Sequence, residues 1–217
     1  MKKNKLIDHT YLKAFGTKKE IDKLVSEAKE YHFKSVCINP THVKYCNEQL
    51  QGTDVLVCTV IGFPLGANTV ETKVFETLNA ISNGADEIDM VINIGEFKQG
   101  NYAYIQDEIK QVCKAAMNNI VKVIIEVAYL TDEEIKSAAE LVATTKAAFI
   151  QISSGFGKNE ATKEIVKLVK QNIGEKEVKA AGGVKSAEDL QAMLEAGATR
   201  IGSSNSIRFI NIEEGAR

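Results

Sequence analysis

The sequence predicts a single (β/α)8 barrel, an α/β fold of the TIM-barrel type, over residues 1–217. Short runs rich in Val and Ile alternate with amphipathic segments along the whole chain. The runs are almost continuously apolar, as parallel strands are when helices cover one side and a packed barrel interior the other. Polar and glycine residues gather where the runs end, the place where such barrels carry their ligand sites.

The strand runs are 6–9, 34–38, 55–61, 87–94, 122–127, 149–153, 178–180 and 200–202. Helical patterns fill the gaps between them. Thr17-Lys-Lys-Glu20 is a capping box that opens a helix over 17–31, and Thr131-Asp-Glu-Glu134 opens another over 131–145. Ser186-Ala-Glu-Asp189 starts a third over 186–195, stopped by Gly197. Further helices are expected over 41–51, 69–83, 103–118 and 162–173. An open doubly wound sheet is the structural competitor. It usually carries G-x-G-x-x-G after its first strand, and this chain has none there. The stretch from Arg208 to Arg217 matches no motif.

Bulk properties narrow the function. The chain is 44% hydrophobic and 26% charged, with a formal net charge of −2. That balance gives no pull toward nucleic acid or an anionic membrane, so neither is an expected partner. No apolar run approaches the roughly 18 residues needed to span a bilayer. The basic start, Met1 to Lys5, leads into Leu-Ile-Asp-His rather than an apolar signal core. Cys37, Cys46, Cys58 and Cys113 form no C-x-x-C pair, which suits reduced thiols in a cytoplasmic protein. His9, His32 and His42 are scattered. No metal and no cofactor is expected.

The strand ends supply the candidate site. In order they are Asp8, Cys37-Ile-Asn-Pro40, Gly62-Phe-Pro-Leu-Gly66, Asp89, Glu126, Gln151 to Phe156 (with Ser154 and Gly155), Lys179 to Gly183, and Gly202-Ser-Ser204. Asp89 lies in an otherwise apolar strand, and a carboxylate there must be paired or hydrogen-bonded. Lys179, on another short buried strand, is its natural partner. Burial lowers the pKa of such a lysine and a nearby carboxylate raises it. Lysines in this setting serve as Schiff-base or base residues, while a structural ion pair is the plainer alternative. Gly155, Gly182-Gly183 and Gly202-Ser203-Ser204 close the last three strands. Barrels often bind phosphate there through backbone N–H groups and a helix N-terminus. Tight turns without a ligand would need the same glycines.

Several long motifs resemble the deoxyribose-phosphate aldolases. They are Ile7-Asp-His-Thr-Tyr-Leu-Lys13, Val36-Cys-Ile-Asn-Pro40, Val60-Ile-Gly-Phe-Pro-Leu-Gly66, Gly84-Ala-Asp-Glu-Ile-Asp-Met-Val-Ile-Asn-Ile-Gly95, Lys122-Val-Ile-Ile-Glu126 and Glu195-Ala-Gly-Ala-Thr-Arg-Ile-Gly202. The likeness is collinear over about residues 6–206. It implies a metal-free class I aldolase that reversibly cleaves 2-deoxy-D-ribose 5-phosphate to acetaldehyde and D-glyceraldehyde 3-phosphate. A strand-6 lysine forms the Schiff base, a strand-7 lysine lowers its pKa, and a strand-4 aspartate relays protons. By position the last two are Lys179 and Asp89. Asp8, Thr10 and Cys37 match residues near the substrate, and Ser154 lies in the same strand-6 segment. Gly182, Gly183, Gly202 and Ser204 match the phosphate cradle, to which Gly155 and Ser203 are added as neighbours. Barrels of this family are often homodimers.

The chain departs from this pattern on strand 6. The family writes Phe-Val-Lys-Thr-Ser-Thr-Gly-Phe, and this chain reads Phe149-Ile-Gln-Ile-Ser-Ser-Gly-Phe156. A carboxamide is not a nucleophilic amine, so Gln151 cannot form an iminium. Val127, Ile152 and Ala181 also stand where the family is polar, which suggests several changes around one site. Alternation puts Gln151 and Ser153 on one face of their strand and Ile152 on the other, and Lys179 and Ala181 likewise share a face. Two readings follow: an aldolase with impaired activity, or a non-catalytic or redesigned sugar-phosphate-binding barrel.

Overall fold

The computed structural model describes residues 2–158 and 161–214, the last four of these by backbone only. Eight parallel strands close into a barrel in sequence order. They are β1 (Ile7–Tyr11), β2 (Ser35–Ile38), β3 (Leu56–Ile61), β4 (Glu87–Val91), β5 (Ile120–Ile124), β6 (Phe149–Gln151), β7 (Glu177–Ala181) and β8 (Arg200–Ser203). β8 pairs back onto β1 through Asp8↔Gly202, so no sheet edge is left open. The expected (β/α)8 barrel is therefore the fold.

The helices are α1 (Lys18–Glu30), α2 (Val43–Leu50), α3 (Val70–Ser82), α4 (Ile94–Lys98), α5 (Tyr102–Ala115), α6 (Asp132–Ala143), α7 (Lys163–Asn172), α8 (Ala187–Glu195) and α9 (Ser206–Glu214). The capping boxes read from the sequence start α1, α6 and α8 as expected. Two helices were not foreseen. The apolar run of β4 reads as continuing to residue 94, but the strand ends at Val91, and the Asn93 side chain accepts from Glu96 N–H to cap α4. α9 follows directly on β8 and carries no capping box. Among the described residues no helix is long and apolar enough to cross a membrane.

The main apolar core lies between the barrel wall and the helices. Ile88 and Met90 of β4, Val121 and Val123 of β5, and Ile150 of β6 pack there with Ile109, Val112, Ala138 and Val142 from α5 and α6. The packed barrel interior is charged: the alternate positions Glu87 and Asp89, Lys122, Lys179 and Arg200 are all buried. Period-2 alternation therefore separates an apolar outer face from a charged inner one.

Candidate active site

The floor of the barrel is an ion network. Lys179 Nζ lies 2.5 Å from Asp89 Oδ2 and 2.7 Å from Asp8 Oδ2. Lys122 Nζ lies 2.8 Å from Asp89 Oδ1 and 2.6 Å from Glu87 Oε2. Arg200 donates to Asp8 Oδ1 and to Glu87 Oε2, each at 2.8 Å, and Ser35 donates to Asp8 Oδ1 at 2.7 Å. Three cations thus face three carboxylates. Burial would raise the pKa of Asp8 and Asp89, but the neighbouring cations outweigh it and hold both below the usual carboxylate range. Burial would lower Lys179, but Asp8 and Asp89 outweigh it and push its ammonium above the usual lysine value. Lys122 is raised in the same way, with Asp89 as its strongest partner. The lowering that burial alone would give Lys179 is therefore reversed by its two carboxylates.

Two thiols join this network. Cys58 Sγ lies 3.2 Å from Asp89 Oδ1, and Cys37 Sγ lies 3.8 Å from Asp89 Oδ2. Burial pushes the Cys58 thiol up. Cys37, Cys58 and Asp89, and likewise Asp8, Cys58 and Glu87, are close enough to share an ion. The Lys122 ammonium already stands beside the second group, 3.3 Å from Cys58 Sγ and 2.6 Å from Glu87 Oε2.

Above the floor opens a cavity of about 420 Å³ at the C-terminal ends of the strands. That volume suits a small ligand. Asp89, Gln151 and Lys179 line its inner end, with Thr10 and Cys37 beside them. Ser154 and Gly155 line it from the β6 side, and Gly182, Gly183, Gly202, Ser203 and Ser204 from the β7 and β8 side. Asp8 does not reach it; its carboxylate is fully buried beneath, between Lys179 and Arg200.

Gln151 pairs in register with Lys179 across β6 and β7. Its Nε2 donates to Ser153 O at 3.0 Å, while its Oε1 has no hydrogen-bond partner among the described residues. β6 ends at Gln151, so strict alternation stops there. Ser153 lines a neighbouring pocket with Lys158 and Ala161, and Ser154 is the serine that faces the main cavity. Glu126 arranges this turn: its own backbone is left-handed (φ 49°), and it accepts from Ser154 N–H at 3.1 Å and from the Ser154 hydroxyl. Phe156 then meets the Phe63 ring edge-on at 5.2 Å.

The other altered positions divide. Ala181 lines the cavity. Val127 and Ile152 do not; both are buried in the main apolar core outside the barrel. Their change does not alter the lining, which corrects the expectation of one cluster of altered site residues.

The far end is lined by glycines and serines at the ends of β7 and β8. Gly182 and Gly183 are both at φ 77°, a left-handed conformation that glycine adopts without strain. A side chain at Gly202 would meet Ala181 Cβ and Lys179 Cε at 3.2 Å. α9 begins at Ser206, just after the cavity-lining Ser203 to Asn205, so its positive end lies beside these serines.

Lys122, Glu87 and Arg200 were missed as members of the site's foundation. Each starts or nearly starts its strand and so read as an edge residue. The signal was present, since Glu87 lies two residues before Asp89 on the same face.

A family model described as DeoC/LacD family aldolase matches residues 4–207. A deoxyribose-phosphate aldolase of Staphylococcus saprophyticus is 56% identical over 95% of this chain and 94% of its own length. One of Streptococcus uberis is 55% identical over 98% and 97%. Among solved structures, the aldolase QR15 superposes with a TM-score of 0.94 at 39% identity, covering 98% of this chain and 96% of its own. The tetrameric deoxyribose phosphate aldolase of Aeropyrum pernix gives 0.88 at 25% identity, covering 99% and 92%.

Proposed function

This chain belongs to the DeoC/LacD aldolase family, and on that premise we propose that its cavity receives 2-deoxy-D-ribose 5-phosphate for reversible cleavage to acetaldehyde and D-glyceraldehyde 3-phosphate, at a rate greatly reduced by Gln151. One observation carries this reading. Gln151 sits at the inner end of a cavity that keeps Asp89 and Lys179 on one side and the glycine-serine cradle on the other.

The roles follow from placement. Gly182, Gly183, Gly202, Ser203 and Ser204 hold the phosphate, with the positive end of α9 behind them. Thr10, Cys37 and Ser154 flank the sugar carbons, and Gly155 lets the β6 turn approach closely. Asp89 is the proton-handling carboxylate, and Asp8 acts from below by fixing Lys179. An imine needs a neutral amine. Gln151 has none, and Lys179 is kept protonated at neutral pH by two carboxylates. Lys179 is thus the amine left for a slow covalent route.

Substituting Gln151→Lys tests this. A new ammonium beside Lys179 would be repelled and so lose its proton more readily. Cleavage of 2-deoxyribose 5-phosphate should rise by about 10⁶-fold, the scale on which losing a nucleophile acts. A substituted chain that folds and binds the sugar phosphate without gaining activity would contradict the proposal.

We place the protein in the cytoplasm, where its four free buried thiols stay reduced. We also propose that it pairs with a second copy, since a relative is tetrameric and Phe75, Leu78 and Met117 form an exposed apolar surface. Light scattering at micromolar concentration should give at least twice the 23.8 kDa chain mass; a monomer mass would overturn this.

A further inference from the structure

Chemistry fixes which way the Gln151 amide faces. The Ser153 carbonyl can only accept, so the amide nitrogen must point to it, as it does at 3.0 Å. The amide oxygen is thereby turned away, with no donor among the described residues. Gln151 is only 4% exposed, yet it lines the cavity. Buried acceptors of this kind are rarely left unpaired.

Lys179, its register partner, supplies the complement. Two of its three N–H groups go to Asp89 and Asp8, which leaves one to point elsewhere. The inner end of the cavity therefore offers one acceptor and one donor side by side. A hydroxyl matches both, donating its proton to Gln151 Oε1 and accepting from Lys179. A free aldehyde oxygen only accepts, so it would satisfy Lys179 and leave Gln151 unpaired. A carboxylate would set its charge against the amide oxygen.

We propose that Gln151 converts the inner end of the cavity into a non-covalent hydroxyl site, which takes the C1 hydroxyl of a sugar phosphate in its hydrated, ring-closed or reduced form in preference to the free aldehyde. This rests on the sugar-phosphate reading above and adds to it the oxidation level of the preferred ligand. No bond is made or broken in this step. Gln151 is here a specificity residue, and the phosphate cradle at the far end sets the distance at which the hydroxyl must lie.

Calorimetry on the full chain, with three probes, tests it. The probes are inorganic phosphate, 2-deoxyribose 5-phosphate and its C1-reduced alditol phosphate, which cannot form an imine. The alditol phosphate should bind at least as tightly as the sugar. Gln151→Leu should weaken the alditol about tenfold, the effect of losing one well-placed hydrogen bond, and leave inorganic phosphate unchanged. Gln151→Met gives the same comparison should the leucine variant fail to fold. An alditol phosphate ten times weaker than the sugar, or one indifferent to both substitutions, would overturn the hydroxyl site. If phosphate and sugar still bind in that case, the sugar-phosphate reading survives. Failure of all three probes to bind would remove both.

Discussion

The floor of the barrel and its mouth use the same eight strands in opposite ways. On the floor, Asp8, Glu87, Asp89, Lys122, Lys179 and Arg200 are buried and interlocked, every charge held by an opposite one. At the mouth, glycines and serines line the cavity together with two carboxamides, Gln151 and Asn205, and with side chains such as Thr10, Lys13 and Phe63, and Gln151 Oε1 is left over for a ligand. The floor sets protonation states and holds Asp89 and Lys179 in place. The mouth decides what is bound and whether it is bound covalently. A change on the floor should therefore act on stability first, and a change at the mouth on recognition first.

The largest effect should come from the floor. Asp89→Ala leaves Lys122 and Lys179 short of a shared acceptor in a buried site. Breaking such a network typically costs about 3–5 kcal/mol, visible as a lower urea midpoint. A loss below about 1 kcal/mol would show that the two ammonium groups are satisfied without Asp89. A smaller effect is expected at the mouth. Gly202→Ala places a methyl group 3.2 Å from Ala181 Cβ and Lys179 Cε. Crowding of this kind costs about 1–3 kcal/mol, and sugar-phosphate affinity, read by calorimetry, should fall with it. Unchanged affinity would mean that Gly202 does not shape the cradle.

The contrast also explains what could be read from the sequence. Capping boxes at Thr17, Thr131 and Ser186 are local signals, and they marked three helix starts correctly. The glycine and serine lining was legible because these residues gather where the last strands end, and that is where the cavity opens. The floor was not, because Lys122 and Arg200 look like polar edges until the barrel closes and brings them against Glu87 and Asp8. Ser153 was misplaced because alternation holds only while the strand lasts, and β6 stops at Gln151. Val127 was grouped with the site by closeness in sequence although it packs in the outer core, whereas Ile152 faces that core as alternation from Gln151 requires.

Gln151 stands where floor and mouth meet, and its meaning can be measured directly. The chain should be incubated with saturating 2-deoxyribose 5-phosphate and borohydride, and its intact mass read. Near neutral pH the mass should stay unchanged, since Gln151 offers no amine and Lys179 is held protonated. An adduct confined to Lys179 should grow only above about pH 10, because its ammonium gives up its proton later than that of an ordinary lysine, whose pKa is about 10.4. A stoichiometric adduct at neutral pH would contradict the account, because it would show a free amine at a site whose geometry keeps that amine charged.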